Sequence, residues 1–298
     1  MDLSVASPRF KEVGAYLIHD TSKLARATLD LQLGHLGFAQ AAWRILGVLS
    51  EIPDLTQSQI SGLLAVHKVA VGTTIDQLEA QGWLERSCDV TDRRAKQVHL
   101  TARAQPVIEE MKLQFSALEV SLVDTLSRQS QSQLISSLRR IRNDLRSLTA
   151  GVQLQRSEET ALWLLLDCDR LLMRRLDLRL REFGFSRSQW FVLSALYFRG
   201  DLAQSDLADS LGIAPAALGK VIDQLERSGW VCRAPDKHDR RVKRLSLMPA
   251  RLPDLKTIRS AFETSHARLF QCLDTAEREQ LESDLRIVRA DLRTRISI

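Results

Sequence analysis

Residues 75–79 read Ile75-Asp76-Gln77-Leu78-Glu79, and they are followed by Gly82-Trp83 and then by Asp92-Arg93-Arg94. The same stretch occurs again later in the chain, as Ile222-Asp223-Gln224-Leu225-Glu226, Gly229-Trp230 and Asp239-Arg240-Arg241. Every matching position lies 147 residues after its counterpart, so no insertion separates the two copies. A self-match of this length at a fixed offset indicates an internal duplication.

The duplication extends well beyond this stretch. Gly37-Phe38 recurs as Gly184-Phe185, Trp43 recurs as Trp190, and Pro106 recurs as Pro253, all at the same offset. We therefore predict two domains, which are a first repeat at residues 1–150 and a second repeat at residues 151–298.

The composition favours helices and excludes several classes of protein. Only 5% of the 298 residues are aromatic and only 13 are glycine, while the net charge is +5. We find neither an apolar run of about 20 residues nor a signal peptide, so we predict no membrane contact and a cytoplasmic location. The four cysteines lack CxxC spacing, and the histidines lack the spacing of metal ligands, so we predict no metal and no cofactor.

Within each repeat the pattern predicts helices and one β-hairpin. In the first repeat, helices are expected near residues 7–33 and 38–49, followed by a short helix that Thr56 and Gln59 would start as a capping box. A second helix at about 68–81 completes a helix-turn-helix. Short alternating segments at 83–86 and 96–100 predict a hairpin, called the wing below. Two long helices, at 104–126 and 130–148, are expected to follow, the second starting with a capping box of Ser130 and Gln133.

This order of elements, with its Asp-Arg-Arg wing, resembles the MarR family of bacterial winged-helix regulators. The residues that carry the resemblance are 75–83 with 92–101 in the first repeat, and 221–230 with 239–247 in the second. Members of this family are usually homodimers, so the resemblance implies a mainly α pseudo-dimer in one chain, with a helical dimerisation body and two small β-wings. It also implies binding of double-stranded DNA near the bacterial nucleoid, and repression that a small aromatic or carboxylic acid relieves.

The second helix of a helix-turn-helix enters the major groove through its N-terminal half. In the first repeat we predict that Lys68, Thr73 and Thr74 contact DNA there. In the second repeat we predict this role for Lys220, although the helix around it (Ala214, Pro215, Ala216, Ala217) is mostly small and apolar.

The wings carry clustered cations that we predict reach phosphates or a narrow minor groove. These residues are Arg93, Arg94 and Lys96 in the first repeat and Arg240, Arg241, Lys243 and Arg244 in the second. The alternative is a solvated charged turn, in which Asp92 and Asp239 pair with the adjacent arginines and contribute about 0–1 kcal/mol.

The repeated tryptophans have different expected roles. Trp83 and Trp230 follow helix-ending glycines and are expected in the core, where they seal the wing against the helices. Trp43 and Trp190 lie on apolar stripes and are expected in the core or in the lining of an effector pocket, which the family resemblance places between the body helices and the helix-turn-helix.

Three other functions were weighed. An enzyme is not expected, because the sequence has no catalytic constellation and no glycine-rich phosphate loop. A thiol-based redox sensor would use Cys168, but Asp167 and Asp169 beside it raise a thiol pKa and so oppose that role. A protein-interaction scaffold with impaired DNA binding remains the third alternative, since the second recognition helix has few groups for base contacts.

The duplication also predicts how the protein meets its operator. Each repeat would address one half-site, about one helical turn from the other, and the two half-sites need not be palindromic. We expect a monomeric pseudo-dimer, with a chain-swapped homodimer as the structural alternative.

Overall fold

The computed structural model describes residues 14–64, 66, 68–88, 96–148, 159–211, 213–236, 242–267 and 269–296, apart from the side chains at 88 and 263–267. The chain divides into two compact units. One comprises Met1–Asp20 with Arg174–Glu282, and the other comprises Thr21–Met173 with Ser283–Ile298. We call residues 40–100 the first lobe and residues 187–247 the second lobe, and each lies within one unit.

The described part of the first repeat contains six α-helices and three strands. The helices are α1 (Gly14–Gln32), α2 (Gln40–Glu51), α3 (Gln57–Leu64), α4 (Lys68–Ala80), α5 (Gln105–Val123) and α6 (Arg128–Ser147). The strands are β1 (Leu55–Thr56), β2 (Leu84–Cys88) and β3 (Lys96–Leu100). The predicted helices and the predicted hairpin are all present.

The second repeat has the same elements in the same order. The helices are α7 (Ala161–Glu182), α8 (Arg187–Arg199), α9 (Gln204–Leu211), α10 (Pro215–Arg227), α11 (Leu252–Ala267) and α12 (Thr275–Ile296). The strands are β4 (Leu202–Ala203), β5 (Val231–Pro235) and β6 (Lys243–Leu247). The mainly α class with two winged-helix repeats is therefore confirmed.

Each lobe has a three-stranded antiparallel sheet rather than a simple hairpin. The strand orders are β1-β3-β2 and β4-β6-β5. In the first lobe Val98 on β3 pairs with Leu55 on one side and with Arg86 on the other. The sequence did not predict β1 and β4, because a two-residue strand is too short to show an alternating pattern.

Two helix starts were predicted from capping boxes, and one prediction was wrong. The Thr56 amide donates to Gln59 Oε1 over 2.7 Å, and the Gln59 amide donates to Thr56 Oγ1 over 3.3 Å, as predicted. Helix α6, in contrast, is capped by Ser127, whose hydroxyl accepts from the Ser130 amide. The cap therefore lies three residues before the predicted one, and Ser130 and Gln133 both lie within the helix.

Equivalent apolar residues fill the interiors of the two lobes. Ile60 and Ile75 are fully buried in the first lobe, as are Leu207 and Ile222 at the equivalent positions of the second. In each pair one residue lies on the first helix of the helix-turn-helix and the other on the recognition helix, so equivalent buried side chains fill both lobes. No helix in the described ranges is long and apolar enough to span a membrane.

Candidate DNA-binding surface

In the first lobe, contacts around the turn fix α4 against α3. Gln57 donates from Nε2 to the Lys68 carbonyl over 2.8 Å, and Ser61 donates to the Val66 carbonyl over 2.7 Å. A Cβ on Gly72 would lie only 2.5 Å from Gln57 Nε2, so glycine is what permits this close approach. The N-terminal half of α4 is thereby held with its outer face in solvent.

In the second lobe the same crossing is looser. Gly219 and Gln204 occupy the equivalent positions, but a Cβ on Gly219 would lie 3.9 Å from Gln204 Nε2. Helix α10 starts with Pro215, whose missing amide hydrogen has no cost at the first helical position.

An arginine on each wing holds the recognition helix of its lobe. Arg86 on β2 donates from Nη2 to Asp76 over 2.6 Å, and its Nη1 pairs with Glu79. Arg233 on β5 makes the equivalent pairs, to Asp223 over 2.5 Å and to Glu226 over 3.6 Å. Burial alone would lower the pKa of Arg86, but the two carboxylates outweigh it and the pKa is raised. The same arginine fork therefore connects the recognition helix to its wing in each lobe.

The tryptophans that follow the recognition helices seal the wings, but they are only partly buried. Trp83 packs edge-on against Phe38, with the Arg103 guanidinium 4.4 Å from its ring centroid. Trp230 is packed in the same way by Phe185 and Arg251. The prediction that both tryptophans lie in the core is therefore corrected. Each ring is only partly buried, and the side chain that lies over it is an arginine rather than an apolar residue.

The residues of the recognition helices that were predicted to contact DNA lie at or near the surface, but the two threonines use their hydroxyl hydrogens within the helix. Lys68, Thr73 and Lys220 are exposed, and Thr74 is half-buried. The Thr73 hydroxyl donates to the Val69 carbonyl over 3.1 Å, and the Thr74 hydroxyl donates to the Ala70 carbonyl over 2.9 Å. Both hydroxyl hydrogens are thus used within the helix, which leaves neither threonine a free donor for a base edge.

The predicted wing cations divide into two groups. Arg93, Arg94, Arg240 and Arg241 lie outside the described residues, so their role stays a prediction. Lys96, Lys243 and Arg244 are exposed at the adjoining strand ends. The side chain of Arg244 pairs with Asp236, which raises the pKa of Arg244, and its Nη1 donates to the Asp201 carbonyl over 3.3 Å. Arg244 is thus already engaged in the unbound protein.

Trp43 and Trp190 are both buried, each within its own unit. Trp43 is 4% exposed and donates from Nε1 to Asp30 over 2.6 Å. Trp190 is 8% exposed and stacks at 4.7 Å on Phe262 of α11. Their place in the core is confirmed, and their part in an effector pocket stays a prediction.

The interior beside Trp43 is strongly charged. Arg44 on α2 donates to the Leu64 carbonyl over 2.9 Å, while Arg26 on α1 pairs with Asp169 on α7, whose side chain is 2% exposed. Burial, together with the nearby positive charge of Arg26, lowers the pKa of Arg44 to about 10. In the second repeat Phe191 stands at the position of Arg44, Met173 at that of Arg26, and in the first repeat Ser22 stands at that of Asp169.

Cys168 lies in the same unit and is fully buried. Its Sγ donates to the Leu138 carbonyl over 3.2 Å. Burial, and then the neighbouring Asp167, raise the pKa of this thiol well above its ordinary value, as the sequence predicted. Among the described residues no three His, Cys, Asp or Glu side chains are grouped as a metal site requires.

Several of these contacts escaped the sequence interpretation. The Arg86 and Arg233 pairs had a usable signal, because all three members of each recur at the 147-residue offset. The pair Arg26 and Asp169 had none, since its members are 143 residues apart and belong to different repeats. His99, which bonds Asp54 over 2.7 Å and Ser87 over 2.6 Å at the base of the first wing, has no histidine counterpart in the second.

Comparison with known proteins places both lobes in one family. Two family models, each described as the MarR family, match residues 36–95 and 185–243. The structure of the transcriptional regulator PA3341 is 30% identical, with a TM-score of 0.39, and the match covers 43% of this chain and 93% of that one.

Two other solved structures cover a similar share. The YusO protein from Bacillus subtilis is 25% identical, with a TM-score of 0.34, over 41% of this chain and 83% of that one. A MepR–DNA complex from S. aureus is 26% identical, with a TM-score of 0.34, over 38% of this chain and 84% of that one. The chain belongs to the MarR family of transcriptional regulators and carries two of the family's winged-helix repeats in one polypeptide.

Proposed function

We propose that this protein is a repressor that binds double-stranded DNA through both lobes. The observation that carries the proposal is the exposed N-terminal half of α4 and of α10, each joined to its wing by an arginine fork from Arg86 or Arg233. A helix held in this way can enter a major groove while the wing reaches the flanking backbone. The solved MepR–DNA complex is consistent with this partner.

The charges around these helices suit a phosphate backbone. Lys68 and Lys96 are exposed in the first lobe, and Lys220 and Lys243 are exposed in the second. In the proposal they position the protein through phosphates, together with Arg93, Arg94, Arg240 and Arg241 at the wing tips. Such contacts fix register and orientation without reading sequence.

Removal of the wing-tip arginines tests DNA binding directly. Replacing Arg93, Arg94, Arg240 and Arg241 by alanine should lower duplex affinity and reduce the slope of log K against log salt by up to about 3 to 4, since each phosphate contact contributes about 0.9. The variant Lys23→Ala/Lys256→Ala, which removes exposed cations on α1 and α11, is the control and should leave the slope unchanged. An unchanged slope in the quadruple variant would instead favour the scaffold alternative.

We also propose that a small carboxylic acid, aromatic in the family's manner, releases the DNA. The supporting observation is the half-buried Arg44, whose pKa is lowered by burial and by the nearby positive charge of Arg26. A ligand carboxylate beside Arg44 and Trp43 would offset this positive charge, and Arg44 connects α2 to the end of α3. The second lobe has Phe191 instead, so one chain would bind one such acid.

An effector titration tests this second proposal. Benzoate, and then a panel of aromatic carboxylates, should weaken duplex binding by the unsubstituted protein but not by Arg44→Phe, which places the second lobe's own residue in the first. Thermal melting of both proteins shows that the variant is folded. If no acid in the panel changes duplex affinity, the effector proposal fails and the DNA-binding proposal stands.

The redox alternative has little support in the structure, because the Cys168 thiol is buried and its pKa is raised. We expect peroxide to leave duplex affinity unchanged in both the unsubstituted protein and Cys168→Ser. If peroxide abolished duplex binding by the unsubstituted protein but not by Cys168→Ser, the redox-sensor hypothesis would be supported.

We propose the repeats at residues 1–150 and 151–298 as the two halves of a monomeric pseudo-dimer. The single unbroken chain that carries both lobes is what supports this arrangement. A chain-swapped homodimer is the alternative that mass measurements distinguish.

A further inference from the structure

The first turn of each recognition helix exposes mainly apolar side chains. In the first lobe Val69 is 79% exposed, which is more than any other large hydrophobic residue in the described part of the chain. Ala70 beside it is exposed as well. A single exposed valine is common on protein surfaces, so what makes Val69 relevant is its place on the first turn of a recognition helix, where side chains meet base edges.

The neighbouring threonine strengthens this character. The Thr73 hydroxyl donates to the Val69 carbonyl over 3.1 Å, so its hydrogen is not available to a ligand. The hydroxyl oxygen can then only accept a hydrogen bond, and the rest of this exposed side chain is its methyl group. Val69, Ala70 and Thr73 therefore form one apolar patch on α4, at the positions that meet base edges in a helix-turn-helix.

The second lobe repeats the pattern with smaller groups. Pro215, Ala216 and Ala217 are exposed on the first turn of α10, and Lys220 follows them. Ala216 stands at the position of Val69, and Ala217 at that of Ala70. Both lobes thus offer apolar contact surface flanked by lysines that suit phosphates.

We propose that this protein reads its operator chiefly through the C5-methyl groups of thymine in the major groove. The inference rests on the proposed function. In the major groove the thymine methyl is the one apolar feature of a base-pair edge, and alanine side chains and threonine methyls are its usual partners. Of the side chains that contact guanine or adenine with two hydrogen bonds, the first turn of α10 (215–218) carries none, and that of α4 (68–71) carries only Lys68, which could contact guanine.

The two lobes differ in the strength of this readout. Val69 presents two methyl groups, whereas Ala216 presents one. The half-site under α4 should therefore depend more strongly on thymine than the half-site under α10. This difference gives the operator a direction that a symmetric dimer could not recognise.

Uracil tests the inference because it lacks only the methyl group of thymine. The full chain is used to select duplexes from a random-sequence library, and the selected duplexes are then remade with uracil at single thymines. Uracil should weaken binding about fourfold at each contacted position, which corresponds to about 0.8 kcal/mol per buried methyl-sized group. The loss should be larger in one half-site than in the other.

Two variants assign the effect to the helix. Val69→Ser should remove the thymine preference in the more sensitive half-site and leave the other half-site unchanged; melting of the variant confirms its fold. Lys68→Ala should weaken thymine and uracil duplexes by the same factor, because it removes only a phosphate contact.

The outcomes separate this inference from the function on which it rests. If selected duplexes bind equally well with thymine and with uracil, methyl readout is overturned and DNA binding stands. If the unsubstituted protein binds no duplex, the proposed function is overturned and the inference falls with it.

Discussion

Lys68 begins the recognition helix of the first lobe and Arg44 lies in its interior, whereas the second lobe has Pro215 and Phe191 at these positions. Apart from these differences, both lobes have an arginine that pairs the wing with the recognition helix, a tryptophan that packs at the base of the wing, and a three-stranded sheet. The shared residues hold the elements of a lobe together. The Lys68 and Pro215 difference lies on the recognition helix and the Arg44 and Phe191 difference lies beneath it, so the first would affect DNA binding and the second effector binding.

The largest expected effect concerns the charged cluster of Arg26, Arg44 and Asp169, whose equivalent positions carry Met173, Phe191 and Ser22. Asp169→Ala should lower the free energy of unfolding by about 3 to 5 kcal/mol, because it leaves the half-buried Arg26 without its buried partner and removes one of the two carboxylates near Arg44. Urea denaturation measures the change.

The chain supplies its own control for this experiment. The triple variant Arg26→Met/Arg44→Phe/Asp169→Ser installs the residues found at the equivalent positions, and it should recover most of the loss. A single Asp169→Ala variant as stable as the unsubstituted protein would show that the charges of Arg26, Arg44 and Asp169 do not stabilise one another.

The next effect should be equal in the two lobes. Arg86→Ala and Arg233→Ala each remove charge-assisted bonds from a recognition helix to its wing, and each should cost about 1 to 2 kcal/mol, a range reduced because the carboxylates face solvent. Both variants should also weaken duplex binding. If urea denaturation gave clearly unequal losses in the free energy of unfolding for the two variants, the two arginine forks would hold their helices differently although their sequences are alike.

The smallest expected effect is a difference in stability between two glycine-to-alanine variants, one at the packing of α4 on α3 and one at the packing of α10 on α9. Gly219→Ala should stabilise the protein by up to about 1 kcal/mol, because alanine favours a helix and Gln204 is 3.9 Å away. Gly72→Ala should gain nothing, since its Cβ would displace Gln57 from the Lys68 carbonyl and forfeit about 1 kcal/mol. Equal shifts in melting temperature for both variants would contradict the tighter crossing in the first lobe.

Much of this architecture could be predicted because the signals are local or repeated. Apolar spacing predicted the helices, and the Thr56 and Gln59 pair correctly predicted where the first helix-turn-helix begins. The start of α6 was misplaced because several serines compete there for one cap, and Ser127 is the one that accepts the bond.

The features that could not be predicted depend on contacts between distant parts of the chain. Asp169 looked like a neighbour that perturbs Cys168, yet it is a buried partner of Arg26 from the other repeat. Thr73 and Thr74 of α4 were predicted to contact DNA, but the structure shows that their hydroxyls donate within the helix. Side-chain bonds of this kind are decided by rotamers, which a sequence pattern does not specify.

In the proposed pseudo-dimer one chain carries both halves of a DNA-binding dimer. The number of chains bound to each DNA duplex tests this arrangement most directly. Light scattering of the protein bound to a selected duplex should give the mass of one 33.7 kDa chain per duplex. Footprinting of the same complex should show two protected half-sites about one helical turn apart. Two chains on each duplex of that length would contradict this arrangement, and would indicate a dimer of chains in which the two lobes of one polypeptide do not act as a pair.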